Sequence, residues 1–303
     1  MQIVLTQTSV DWSNSGGVEA TVRVTRDGLE LPCTVKKVKP GLHVCSFTPK
    51  RAGLHLVDVM IDDVLLPECP YDCIINDAGS VRARGDALTR AQRGRTARFE
   101  VSLWNAGRGE LDVLVADSRG TPLPVRCYKQ QDDSYWVEFT LEHIGMHKIE
   151  ITFADIPIAG SPFKCEVVDP KKVLIKGIFE PFIVRQPATI TVDRENAGNG
   201  ELTIEITDPI GQHLPVEVMK SASGEDQVSF LPVKLGQYKI NAALSGFQVH
   251  GMPQTLLVEE QAKPMIYSVA VERAIEVDQP TSVVFDAKKL KGGLKVEVRG
   301  SFF

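Results

Sequence analysis

The sequence predicts an all-β chain built of tandem two-sheet sandwiches, and three observations carry that reading. Apolar and polar residues alternate with period two, as in Glu201-Leu202-Thr203-Ile204-Glu205-Ile206, Lys148-Ile149-Glu150-Ile151-Thr152-Phe153 and Lys295-Val296-Glu297-Val298. Turn residues break these runs every ~8–12 positions, the spacing of half-buried strands in a sandwich. A set of landmarks then recurs at a fixed interval, the mark of a repeated domain.

The landmarks fix the register. From each aromatic at Phe47, Phe139 and Phe230 the next glycine (Gly53, Gly145, Gly236) lies six residues on, and a proline (Pro70, Pro162, Pro253) lies seventeen beyond it. Upstream, a glycine-bearing turn leads into an alternating strand at Val18, Leu111, Leu202 and Leu294, spaced 93, 91 and 92 residues apart. Four units follow. Residues 1–78 form a copy without strand A, because its strand B (2–8) has nothing before it. Residues 79–168 and 169–260 are complete copies. Residues 264–303 hold three strands only, at 266–271, 282–285 and 294–299. The connections at 76–79, 168–172 and 259–264 are short.

Composition bounds the function. The 303 residues are 43% hydrophobic, enough for packed cores, and carry a net charge of −5, which argues against nucleic acid. The 24 glycines and 18 prolines are spread along the chain and punctuate strands. No apolar run approaches the ~20 residues of a membrane span, and the amino-terminal stretch lacks the pattern of a secretory signal. The six cysteines crowd the first 165 residues instead of recurring as one pair per unit. They read as free thiols in a reducing compartment.

Within a unit, N-A-G-x-G-x-L precedes a strand, F-T-x-x-x-x-G closes the next strand pair, and I-x-G-S-P-F opens the last. Residues 79–168 hold all three motifs, at 105–111, 139–145 and 158–163. Residues 169–260 keep the first two, the second with Leu231 in place of the threonine, and residues 1–78 keep only Phe47-Thr48-Pro49 and Pro70-Tyr71. Such an immunoglobulin-like unit resembles the filamin repeat. The resemblance covers essentially the whole chain. It implies tandem filamin-type sandwiches from the rod of a non-enzymatic, cytoplasmic actin-crosslinking scaffold. Receptor cytoplasmic tails or adaptor peptides would be its partners, and actin would be reached through parts of the protein outside this chain. No cofactor, nucleic acid or membrane insertion is expected.

In a C-type sandwich, strands C and D are both edges on one side, so an extended peptide can add to strand C and rest on strand D. In residues 79–168 the expected groove is Asp112, Leu114 and Ala116 of strand C, with Val125 and Cys127 of strand D on the same outer face. Its counterparts are Thr203, Glu205, Val216 and Val218 in the third unit, and Glu19, Thr21, Cys33 and Val35 in the first. A carboxylate at Glu205 is expected to burden the third groove, which makes the second the best acceptor. Phe99, Phe139 and Phe163 are expected in the core.

Other motifs carry less. Arg84-Gly85-Asp86 would be an adhesion motif on an exposed extracellular loop, but Gly85 aligns with Gly177 as a strand-A glycine. Arg82, Arg84, Arg90, Arg93, Arg95 and Arg98 form a basic cluster that reads as a solvated face. His143 with His147, and Cys69 with Cys73, have metal-like spacing but straddle turns. Asp62-Asp63 and Asp132-Asp133 read as acidic turns, and no nucleophile elbow, phosphate loop or H-E-x-x-H motif is present. Two other functional classes fit less well. An adhesion or receptor ectodomain would want a disulfide in each domain. A filamin-repeat adaptor beside a ubiquitin-ligase module would want zinc-binding cysteines.

Overall fold

The computed structural model of the chain describes residues 6–11, 20–39, 42–261, 265–267, 282–286 and 297. Two compact units divide the chain, one of residues 1–169 with 198–200, the other of residues 170–197 with 201–303. The regular elements of the described residues are almost all strands, with three short 3-10 turns at Ala78–Ser80, Asp86–Leu88 and Pro170–Lys172. No helix among them is long and apolar enough to cross a membrane.

The first sandwich comprises β1 (Thr6–Asp11), β2 (Ala20–Arg26), β3 (Leu29–Leu31), β4 (Cys33–Lys39), β5 (Leu42–Phe47), β6 (Gly53–Ile61), β7 (Val64–Leu65) and β8 (Tyr71–Ile75). Its sheets run β1-β5-β4 and β3-β2-β6-β7, with β8 also on β6. Among the described residues β1 is an edge. The expected strand B therefore exists but runs on to Asp11, and the turn at 14–18 lies outside the described residues.

The second sandwich holds β9 (Arg82–Arg84), β10 (Arg90–Gln92), β11 (Thr96–Ser102), β12 (Leu111–Ala116), β13 (Pro122–Leu123) and β14 (Val125–Lys129). It continues with β15 (Ser134–Thr140), β16 (Gly145–Phe153), β17 (Ile156–Pro157) and β18 (Phe163–Val168). One sheet runs β14-β15-β11-β9, the other β10-β18-β16-β12-β13. The third sandwich repeats this with β19 (Leu174–Lys176), β20 (Phe182–Ile183), β21 (Ala188–Asp193), β22 (Leu202–Thr207), β23 (Val216–Met219), β24 (Glu225–Phe230), β25 (Gly236–Leu244), β26 (Phe247–Gln248) and β27 (Gln254–Glu259). Its sheets are β19-β21-β24-β23 and β20-β27-β25-β22. Beyond these, β28 (Met265–Tyr267) pairs antiparallel with β29 (Val284–Asp286). The expected strand 294–299 and its glycine turn lie outside the described residues, apart from Glu297.

Alternation along each strand becomes burial on one face. In β11, Ala97, Phe99 and Val101 are buried and the residues between them face solvent or are half-buried. β16 and β25 share one burial pattern over nine residues. Phe99 and Phe139 meet edge-to-face at 5.9 Å inside a core that includes Val115, Val137, Ile149, Ile151, Phe153 and Val167, with Phe163 half-buried against it. Each such side chain contributes roughly 1.5–3 kcal/mol by leaving water. Two residues into β25, Tyr238 is wholly buried; its hydroxyl donates to the Lys234 carbonyl and accepts from the Lys234 amide. His55 and His147 stand at the matching places in β6 and β16, also buried, with Nδ1 near the carbonyls of Gly53 and Gly145. The three register prolines, Pro70, Pro162 and Pro253, all follow cis peptide bonds.

Strand A divides between the two sheets. β9 pairs antiparallel with β11, then β10 crosses over to pair parallel with β18. Gly85 makes the crossing at φ 138° and ψ 151°, backbone that only glycine adopts readily. A Cβ there would lie 3.0 Å from Cα and Cβ of Phe99. The Arg84-Gly85-Asp86 motif is thus accounted for: Arg84 is in a strand, and Asp86 pairs with Arg90 at 2.7 Å. Gly85→Ala should destabilise the second sandwich by about 1–3 kcal/mol in urea denaturation. Gly94→Ala, where a Cβ would meet open space, should cost less despite φ 68°.

Candidate partner-binding grooves

The strands at the C and D positions are β2 and β4, β12 and β14, and β22 and β23; the D strands and β22 end their sheets, while β2 and β12 carry only the short β3 and β13 outside them. Each C-position strand bonds on its inner side to the long central strand, β6, β16 or β25. Its outer side is only partly open. In the second sandwich β13 already pairs with Val115 and Ala116, so the free edge is Leu111 to Leu114. In the first, β3 covers Val24, Thr25 and Arg26. In the third, a single bridge joins Thr207 to His213, and the Leu214 amide donates to the Ile206 carbonyl. An Asp anchors this cover in two sandwiches. Asp117 Oδ1 accepts from the amides of Thr121 and Arg119 at 2.8 and 2.9 Å, and these bonds hold its pKa below the usual carboxylate value against partial desolvation. Asp208 does the same with Gln212 and Ile210, and Lys234, which pairs with its other oxygen, is the largest cause of its lowered pKa.

The faces differ from the expectation. Val125 stands opposite Phe139 and Cys127 opposite Val137, and both of those partners are buried core residues. Directly opposed residues share a face, so Val125 and Cys127 lie on the inner face, not the outer one. Val125 packs against the core, while Cys127 lies at its open margin and is exposed. Desolvation raises the Cys127 thiol above its ordinary pKa, so it stays neutral. Val216 and Val218 repeat this placement opposite Phe230 and Val228. Asp112, Leu114 and Ala116 alternate with the inward Leu111, Val113 and Val115 and lie on the outer face of their sheet. Ala116 is also paired with Pro122, which removes it from the open edge.

The predicted residues therefore separate into two sets. Val125 and Cys127, with Leu111 and Val113, floor the slot between the sheets. Asp112 and Leu114 flank the open edge from outside, as Thr203 and Glu205 do in the third sandwich. Glu205 is exposed and lines a 240 Å³ depression with Lys239 and Asn241 on the outer face. It meets water there. In the first sandwich Cys33 and Val35 sit opposite Phe47 and Cys45, and Glu19 lies outside the described residues. Lys36, Lys37 and Lys39 charge this edge strand, which disfavours strand pairing.

The remaining motifs form no centre. His147 is buried whereas His143 is half-exposed, 3.7 Å from Asp117, so the two histidines do not converge. No cluster of potential metal ligands occurs among the described residues. All six cysteines are free.

Tandem sandwiches of strand-only topology, with paired edge strands and no gathered catalytic groups among the described residues, define a class of immunoglobulin-like repeat proteins. A family model described as "Filamin/ABP280 repeat" matches residues 4–72, 76–164 and 167–255. The chain belongs to the filamin repeat family. It is 30% identical to Filamin-C of Rattus norvegicus over 248 residues, 79% of this chain and 9% of that protein. It is 25% identical to Filamin-A of Drosophila melanogaster over 313 residues, 97% of this chain and 14% of that protein. The chain thus spans a small part of these relatives. Among solved structures, the Lin-41 filamin domain matches 30% of this chain and 96% of its own at 20% identity and a TM-score of 0.28. The titin I-band fragment I67-I69 matches 86% and 94% at 11% identity and a TM-score of 0.36. Repeats of this family are consistent with a non-enzymatic scaffold.

Proposed function

We propose that the chain is a non-enzymatic segment of a longer, cytoplasmic actin-crosslinking scaffold that docks partner peptides by strand addition. Its units run 1–78, 79–168, 169–260 and 264–303. One observation carries the docking reading: the free edge Leu111 to Leu114 lies beside the inward-facing floor of Val125 and Cys127. An extended peptide there would complete backbone hydrogen bonds along the edge and lay alternate side chains on the floor. Receptor tails and adaptor segments of apolar-alternating sequence fit this chemistry. The slot over Val216 and Val218 is a second acceptor. The second sandwich is preferred because the peptide's outward side chains meet Leu114 there, against Glu205 in the third.

Titration of the full chain with an alternating apolar receptor-tail peptide, followed by amide NMR, tests this. Shifts should centre on Leu111 to Leu114. Cys127→Glu, at an exposed position, should weaken binding at least about tenfold by placing a carboxylate beneath the peptide. Unchanged affinity in that variant, or shifts confined to the third sandwich, would refute the preference.

A further inference from the structure

One cleft in the first unit is unlike the grooves. It encloses about 450 Å³ and is lined by Arg26, Lys50, Arg51, Ala52, Asp77, Ser80 and Asn105. Arg26 ends β2, and Lys50 to Ala52 form the turn from β5 to β6. Asp77 and Ser80 belong to the connection after β8, and Asn105 to the loop between β11 and β12. The cleft therefore lies where the first and second sandwiches meet within one compact unit. The meeting is close: the Asp77 amide donates to the Ala106 carbonyl at 2.8 Å, and a Cβ on Gly107 would reach within 2.4 Å of the Ile75 carbonyl oxygen.

The charges in this cleft are unbalanced. Three cations line it and one carboxylate does. That carboxylate is already engaged: Asp77 Oδ1 accepts from the Gly79 amide at 3.0 Å, and Oδ2 accepts from the Ser80 hydroxyl at 2.6 Å. Nη1 of Arg26 is buried and has no hydrogen-bond partner. Asp27 approaches Arg26 at Nε, at 3.4 Å, and is four-fifths exposed. A buried guanidinium N–H without an acceptor is unfavourable, and an anion relieves it. The side chains of Lys50 and Arg51 are exposed and can close over such an anion. The chain as a whole carries −5, so this cleft inverts the prevailing sign.

We propose that the cleft is an anion site for a phosphate monoester dianion, carried on a small soluble molecule or on a lipid headgroup. Arg26 supplies a fixed fork, Lys50 and Arg51 supply mobile charge, and the Asn105 amide completes the set from the second sandwich. A volume of this size is within the ~300–1,000 Å³ range of small-ligand sites. The bound anion ties the two sandwiches together.

Calorimetry of the full chain tests this with inorganic phosphate, inositol trisphosphate, and phosphatidylcholine vesicles with or without a phosphoinositide. Soluble phosphate should bind weakly and the trisphosphate more tightly, with affinity falling as salt rises. The double variant Lys50→Ala, Arg51→Ala, both exposed, should lose at least about tenfold in affinity. Arg98→Ala, a residue that stacks on Trp136 and does not line the cleft, should lose nothing. Binding to the phosphoinositide vesicles alone would assign the headgroup as the source, and binding to the free trisphosphate alone would assign a soluble ligand. Equal loss in Arg98→Ala, no loss in the double variant, or no binding of any probe would overturn the proposal.

Discussion

Arg194→Met should destabilise the third sandwich by about 3–5 kcal/mol, the cost of stranding a buried charge. Asp226 is wholly buried, and Arg194, itself largely buried, donates through Nε at 2.5 Å and Nη2 at 3.3 Å. Burial by itself would raise the Asp226 pKa, yet the Arg194 bonds and the Ser221 amide at 2.8 Å hold it below the ordinary value. Methionine keeps the length of the stem and removes the guanidinium. Protection of β24 and β25 amides against hydrogen exchange should collapse while the second sandwich is unaffected. Adding Asp226→Asn should recover much of the loss, since its side-chain oxygen still accepts from Ser221 but carries no charge. The pH response should change sign. With Arg194 present, the depressed pKa contributes stability above the unfolded value of ~3.9, which is lost as pH falls through the folded value. In the single variant, desolvation raises the folded pKa, so acidification should restore stability. Loss below about 1 kcal/mol would mean that water reaches Asp226.

Phe99→Ala should cost the second sandwich about 3–5 kcal/mol. The ring is fully buried, meets Phe139 edge-to-face, and has the Gly85 crossing against its backbone. That crossing is held by β9 on one side and β10 on the other, so the cavity left by alanine cannot easily collapse. Trp104 and Trp136 belong to the same sandwich and report its unfolding by fluorescence in urea. A midpoint shift as small as that of an ordinary surface change would show that the core repacks around the void.

Much of this fold was legible because the landmarks are local. Phe139, Gly145 and Pro162 fix the register of β15, β16 and β18, and alternation gives each strand two faces. Which face is inner at a sheet edge is harder to read. Cys127 points inward yet is exposed, because the margin of the slot has no strand over it. The cover on β12 was invisible for a different reason. β13 is two residues long and contains Pro122, and no pattern of alternation identifies so short a strand. Its pairing with Ala116 shortened the acceptor edge from the one expected. The Arg194–Asp226 pair joins residues 32 apart through tertiary placement alone. The anion cleft likewise needs Arg26 and Asn105, far apart in sequence, to line one space.

The divided strand A has a mechanical consequence. The chain enters the second sandwich through β9 and β10 and leaves it along β18, which runs parallel beside β10. Tension on the two ends drags these neighbours in opposite directions along their length. Their hydrogen bonds then share the load in shear and must fail together, whereas peeling would break them one by one. Arg90–Gln92 against Glu166–Val168 gives the second sandwich three such pairs, and Phe182–Ile183 gives the third two. The first has no parallel pair among its described residues. Under a pull, the third sandwich, with two such pairs, should yield before the second, with three.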